Sequence, residues 1–246
     1  MIKLITLITK FIIAALMALL FSSCGHSINF NGGIKGSGNI TTETRNVNKD
    51  FKKIEVSRGI KVIVEKSDNK SITVEADDNL QKHIITKVEN GVLIIESDES
   101  YNSTETPVVN VKMPVTNGLS ATSGSEITSS NTLITENIDV KTSSGSEIQI
   151  TVEADAIKIE STSGSSVEAS GKALKLETAS SSGSAINAEN LMTNEITSQA
   201  TSGSSTNVYP ILKLEAKASS GSSINYHNDP KSISKEESSG GSVSKE

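Results

Sequence analysis

An all-β fold, a parallel β-helix preceded by a β-rich N-terminal module, is what three observations in this sequence predict. A Ser-Gly-Ser unit recurs along the second half, with central glycines at Gly124, Gly145, Gly164, Gly183, Gly203 and Gly221 and a degenerate copy at Gly240. The glycine spacings of 21, 19, 19, 20, 18 and 19 residues are the self-similarity that marks a solenoid with coils of about 18–21 residues. Around each unit apolar and polar residues alternate, the period of a half-buried strand. The third observation is composition. Aromatics are 3% and Trp is absent, so the core must be built from small and β-branched side chains stacked regularly.

The elements follow in chain order. Residues 1–23 read as a signal peptide: Lys3 and Lys10 precede the apolar run Phe11–Phe21, and small residues then lead to a lone cysteine, Phe21-Ser22-Ser23-Cys24-Gly25. The apolar run Phe11–Phe21 is shorter than the roughly 20 residues that span a bilayer. Small residues before a single Cys resemble a bacterial lipobox, which implies cleavage before Cys24 and acylation of its thiol. Acyl chains then hold the protein to a membrane by burying methylenes, at about 0.8 kcal/mol each. An uncleaved anchor and an incidental cysteine are the competing readings. No acidic run follows Cys24, which favours the periplasmic face of the outer membrane over the cell surface.

Residues 24–50, rich in Gly, Asn and Thr, read as lipid tether and first turns. Residues 51–116 form the β-rich module. Ile54 and Val56, then Ile60, Val62 and Val64, then Ile72 and Val74 alternate with polar residues. Asn90-Gly91 between Val88 and Val92 is a hairpin signal, because both turn positions tolerate positive φ. Asp77-Asp78-Asn79-Leu80 breaks the alternation and predicts a short helical or loop excursion through His83.

Residues 117–230 are the repeat. Three residues after the glycines stand Ile127, Ile148, Val167, Ile186, Thr206, Ile224 and Val243, an inward column. Upstream, Ile138/Val140, Ile157/Ile159, Leu174/Leu176 and Leu212/Leu214 alternate with charges. Each unit is strand, bend, strand and connector, and stacking buries the face that one unit alone cannot. Asp139, Lys158 and Glu177 alternate in sign between coils, which suits cross-strand pairing. Tyr226–Pro230 closes the stack, and residues 231–246 are a polar cap or tail.

Several chemistries compete for the Ser-Gly-Ser unit. A nucleophile elbow needs Gly-x-Ser-x-Gly on a strand-to-helix turn with a histidine and an acid; here the order differs, the unit repeats and only His26, His83 and His227 occur. A flexible linker would run longer. Calcium-binding rolls carry an aspartate in each turn, and none follows these glycines. The architectural reading is strongest: the glycine takes the left-handed conformation at a coil corner, and the flanking serines stack as hydroxyl rungs. No metal and no cofactor is implied. Glu126 and Glu147, one coil apart, could bring two carboxylates to about 5 Å, the spacing of a retaining glycosidase; the alternative is two solvated side chains. The net charge of -6 leaves no basic stripe for nucleic acid.

Phe51-Lys52-Lys53-Ile54-Glu55-Val56-Ser57-Arg58-Gly59-Ile60-Lys61-Val62, Asp77-Asp78-Asn79-Leu80, Gly91-Val92-Leu93-Ile94-Ile95, Met113-Pro114, the Ser-Gly-Ser repeats and the lipobox-like end at Cys24 together resemble the head GIN-domain family, the putative auto-transporter adhesins common in Bacteroidetes. The resemblance implies a β-solenoid and brings no catalytic motif. The expectation is a non-enzymatic, lipid-anchored envelope protein of adhesin-like or scaffold type, with a membrane held through the lipid and a glycan or envelope protein as partner. An exposed patch around Tyr209 and Tyr226 would mark adhesion. The alternative is a polysaccharide-active β-helix enzyme using the paired carboxylates.

Overall fold

Period-2 alternation makes almost every described segment a strand. The computed structural model describes residues 32–47 and 49–246. The compact unit Ile34–Glu246 begins with β1 (Ile34–Lys35), β2 (Ile40–Thr44), β3 (Lys53–Val56), β4 (Lys61–Lys66) and β5 (Ser71–Asp77). A 3-10 turn at Gln81–His83 stands where Asp77–Leu80 interrupts the alternation. Then come β6 (Ile84–Glu89), β7 (Val92–Ser97), β8 (Tyr101–Asn102), β9 (Val108–Met113), β10 (Gly118–Ala121) and β11 (Glu126–Ser129). The long strands follow: β12 (Leu133–Thr142), β13 (Glu147–Ser161), β14 (Ser166–Ser180), β15 (Ala185–Ala200) and β16 (Ser205–Ala218). The chain ends in β17 (Ser223–Tyr226), β18 (Ser232–Glu237) and β19 (Ser242–Lys245).

Strands β12 to β16 pair in parallel, each on the next, one coil apart. The register carries Ile138 onto Ile157, Leu176, Ile196 and Leu214, and all five are buried. On the other side of the turns Ile127, Ile148, Val167, Ile186, Thr206 and Ile224 form the inward column expected three residues after each glycine. Strict side-chain alternation aligns these columns, since a one-residue slip would turn every apolar side chain outward. Leu174 departs from the expectation: it is 52% exposed. The alternation is interrupted there, with Leu174 and Lys175 both exposed between buried Ala173 and Leu176, so only Leu176 of that pair reaches the core.

The β-rich module continues directly into the repeat. Strand β3 pairs in parallel with β10 and β4 with β11, while β7 and β9 stack below them. Ser57-Arg58-Gly59 is therefore a further copy of the corner turn. Antiparallel strands close this end: β5 lies on β9, β2 on β5, and β6 on β7 through the Asn90-Gly91 hairpin, with φ of 51° and 78°. Asp77, fully buried, accepts from the Gly38 amide, and Asp78 accepts from the Ser37 hydroxyl and the Asn39 amide. A side chain at Gly36 would sit 2.4 Å from the Asp77 carboxylate. Asp77 to Asn79 thus clamp the segment entering the fold.

The other end is closed by charge. The inward register positions of the last coil are Ile233, Lys235, Glu237, Val243 and Lys245. Lys235 Nζ lies 3.1 Å from the Tyr226 hydroxyl and from the Val243 carbonyl, and 4.7 Å above the Tyr226 ring. Inward-pointing charge is a known way to keep an exposed sheet edge from recruiting strands. Residues 231–246 thus carry two strands of the stack, β18 and β19. In this last coil Gly241 replaces the serine after the glycine. A Cβ there would lie 2.3 Å from the Ala218 carbonyl, so only glycine fits.

Candidate functional site

The corner turns form one continuous column. Both central residues have positive φ: 54–57° at Ser123, Ser144, Ser163, Ser182, Ser202 and Ser220, and 68–71° at the following glycines. The serine after the glycine closes the turn, as Ser146 N does on Ser143 O at 3.3 Å. This is the pattern of a type I′ turn. The left-handed conformation is thus shared between serine and glycine. The amide of each glycine donates to the residue before the glycine one coil on: Gly59 to Ser123, Gly124 to Ser144, Gly145 to Ser163, Gly164 to Ser182, Gly183 to Ser202, Gly203 to Ser220 and Gly221 to Ser239, at 3.0–3.2 Å. At the first coil the Arg58 carbonyl has no glycine amide below it, and the Tyr101 hydroxyl donates to it at 2.8 Å instead.

The two flanking serines divide the work expected of them as rungs. The one before the glycine is exposed. The one after it is buried and fastens its coil to the coil below. Ser146 Oγ accepts from the Ser143 amide at 3.1 Å and lies 2.6 Å from the Ala121 carbonyl; Ser125, Ser184, Ser204 and Ser222 repeat the arrangement. Ser146→Ala is therefore expected to cost about 1–2 kcal/mol. Ser144→Ala should stay within about 0.5 kcal/mol. Urea denaturation of both variants checks the contrast.

Beside this column runs a groove of about 1210 Å³. One wall carries outward side chains four residues before each glycine, among them Lys141, Glu160, Ala179, Gln199 and Lys217. The floor carries the hydroxyls two residues before each glycine. They pair as Thr122 with Ser143 at 2.9 Å, Thr162 with Ser181 at 3.0 Å, and Thr201 with Ser219 at 3.2 Å. The floor's backbone is already spent: the amides of Ser143, Thr162, Ser181, Thr201 and Ser219 all donate to the coil below. The charges are spent too. Lys141 and Lys158 both hold Glu160, at 2.9 and 2.7 Å, and Lys217 meets Glu236 at 3.0 Å. Periodicity alone placed Lys158 between Asp139 and Glu177, but its shortest ion pair is with Glu160 on its own strand.

These pairs set a pH response. Hydrogen bonds from Lys158 and then Lys141 hold the Glu160 carboxyl below its usual value, and the hydrogen bond from Lys213 does the same for Glu215. The hydrogen bonds to Glu160 and Glu215 raise Lys158 and Lys213 in turn. A depressed carboxyl adds stability that is complete above its unfolded pKa of about 4.3 and is lost as pH falls through the lower folded value. A raised lysine loses its share as pH climbs past about 10.4. Urea midpoints are expected to be level between these limits and to fall modestly on both sides, since exposed pairs contribute little.

Glu126 and Glu147 are register partners, but Glu126 is engaged by Lys61 at 2.7 Å and by the Thr128 hydroxyl at 3.0 Å. Both lie on the face across the turns from the groove. The tyrosine patch does not form: Tyr226 is 8% exposed, its ring packed into the core under Lys235. Among the described residues no group of three or more His, Cys, Asp or Glu side chains is placed to hold a metal ion, and no helix is long and apolar enough to cross a membrane. Cys24 lies outside the described residues. The turn at Arg58-Gly59 was readable in the sequence from Val62, which stands three residues after the glycine as Ile148 does. The groove was not, because alternation says which side of a strand faces out and nothing about where the outer surface is concave.

A family model described as "Putative auto-transporter adhesin, head GIN domain" matches residues 50–230. The chain belongs to this family. The head GIN match spans the corner turns from Arg58 to Gly221 and most of the groove. Solved structures share the fold. A putative adhesin from Bacteroides fragilis is 20% identical with a TM-score of 0.81, covering 87% of this chain and 100% of that one. A putative adhesin from Parabacteroides merdae is 15% identical with a TM-score of 0.72, over 87% and 99%. A protein from Parabacteroides distasonis described as a putative lipid binding protein is 19% identical with a TM-score of 0.70, over the same shares. No curated protein matches the chain.

Proposed function

We propose that this head GIN-domain protein is a lipid-anchored cell-envelope protein of non-enzymatic, adhesin-like type, whose rigid β-solenoid offers its long groove to a ligand. The groove carries the reading. It crosses seven coils from Ser120 to Ser238, far longer than one small molecule needs, and its acids are engaged, Glu160 and Glu236 by lysines and Glu237 by the Val243 amide. The solenoid holds such a surface rigid, so little ordering entropy is lost when it binds. The adhesin names of the structural neighbours agree with this role. The anchor rests on Lys3, Lys10, Phe11–Phe21 and Cys24; we place it at the outer membrane and favour the periplasmic side because no acidic run follows Cys24.

Two experiments test this. Labelled fatty acid should enter the full chain and fail to enter Cys24→Ser; label in that variant, or none in the wild type, removes the anchor. The soluble form beginning after Cys24 should bind at least one member of a panel of glycans and envelope proteins without releasing sugar. Sugar release abolished by Glu126→Gln or Glu147→Gln would replace the adhesin with an enzyme. A form that binds nothing leaves only a scaffold.

A further inference from the structure

We infer that the groove beside the turn column takes a linear, uncharged polysaccharide lying along the stacking axis; the inference rests on the binding role proposed above. Four observations select this ligand. The first is length. Seven coils at about 4.8 Å each make a trough roughly 30 Å long, and its repeat of one residue pattern per coil suits a polymer of like units.

The second is charge. The lining holds Lys141, Lys217 and Lys235 against Glu160, Glu236 and Glu237, which cancel. Glu160 is bonded to two lysines and Glu236 to one. An anionic or cationic polymer would have to break these pairs and would gain no net field. The third is backbone. A peptide that adds a strand needs free amides and carbonyls along an edge, and the groove's strands are paired on both sides by neighbouring coils.

The fourth is the floor. Each hydroxyl pair, such as Thr162 with Ser181, uses one of its two protons and leaves one donor with spare lone pairs. Sugar hydroxyls donate and accept in the same way. Between the pairs, in the middle of the wall, stand exposed Ala179 and Gln199. Ala179 offers a methyl to the apolar face of a sugar ring and Gln199 an amide to its hydroxyls. Among the described residues no aromatic ring lines the groove, so each sugar contributes little, and useful affinity comes from contacts repeated along one chain or from many anchored copies.

The test uses the soluble form beginning after Cys24 and neutral hexasaccharides of β-linked glucose, mannose and xylose, with polygalacturonate and heparin fragments of similar length. At least one neutral sugar should shift the amide resonances of Ser143, Thr162, Ser181 and Thr201, with an affinity that does not change with salt. The double variant Thr162→Val, Ser181→Ala should weaken binding about tenfold. The double variant Thr151→Val, Ser170→Ala removes an equivalent hydroxyl pair, 3.0 Å apart, from another face and should leave binding unchanged. Both variants should keep the wild-type circular dichroism.

Preference for the charged fragments, equal loss in both variants, or shifts confined to other faces would overturn the assignment. So would failure of every neutral sugar to bind. If the same form still captures an envelope protein, the groove assignment falls and the binding role stands. If it captures nothing, both fall.

Discussion

Replacing Ser123, Ser144, Ser163, Ser182, Ser202 and Ser220 with asparagine is expected to stabilise the solenoid by about 3–6 kcal/mol in total. Each serine sits at φ of 54–57°, where an L-residue with a Cβ pays about 1–2 kcal/mol. Asparagine recovers part of that cost because its short polar side chain tolerates the left-handed region, and Asn-Gly is the preferred centre of a type I′ turn. A gain of about 0.5–1 kcal/mol per turn is in the range of turn and cap optimisation. All six serines are exposed. The closest partners of any of their hydroxyls are those of Thr162 at 3.5 Å and Thr201 at 3.4 Å, so little is given up. Each carbonyl accepts from the glycine one coil below, and that bond is made by backbone alone. The turns touch, so their gains need not add. The urea midpoint of the sixfold variant, with single variants beside it, gives the answer. A fall in midpoint would mean that the serine hydroxyls contribute more than their exposure suggests.

Gly171→Ala is expected to be the most damaging of the small substitutions, at about 3–5 kcal/mol, from strain and overpacking together. Gly171 has a φ of 117°, and a Cβ there would lie 2.1 Å from the carbonyl oxygen of Val152 on the coil below. That oxygen is backbone held in the ladder between β13 and β14, so relief requires two coils to part. Gly145→Ala is the control. Its φ is 69° but nothing lies within 4 Å of an added Cβ, so it costs only the left-handed penalty of about 1–2 kcal/mol. Against a total stability of about 5–15 kcal/mol, the first substitution takes a large share and the second a modest one. Amide exchange should locate the damage of Gly171→Ala in β13 and β14, because a stacked array loses its interfaces locally. Equal effects of the two substitutions would mean that the strand near Gly171 shifts freely.

Gly145 and its counterparts announce themselves by repetition, whereas Gly171 occurs once, inside a strand, and nothing in its neighbours marks it. Leu174 was misplaced for a related reason. Alternation extends a strand in imagination past the point where the chain rounds a corner, and it assigned Leu174 the inward side held by Leu176. Tyr226 lies in the core with its ring covered by Lys235, so the exposed patch that would have marked adhesion is not found at that ring. Ser57-Arg58-Gly59 lies outside the Ser-Gly-Ser series that repetition picks out. Val62, three residues after the glycine, carries the signal in the sequence, and the amide of Gly59 reaching Ser123, 64 positions along the chain, fixes its place in the turn column.

By itself the sequence determined the all-β class, the coil length, the inward column from Ile127 to Val243, the corner glycines and the family. All of these are periodic, and a period of two within strands and near twenty between coils is written in residue order. Only the tertiary structure decided that serine shares the left-handed turn with glycine, that the serine after the glycine fastens coil to coil, that Glu126 is taken up by Lys61, and that a groove lies beside the turns. Each of these depends on what the next coil presents at one point. That is set by distances between residues about twenty positions apart, and a pattern along the chain does not carry it.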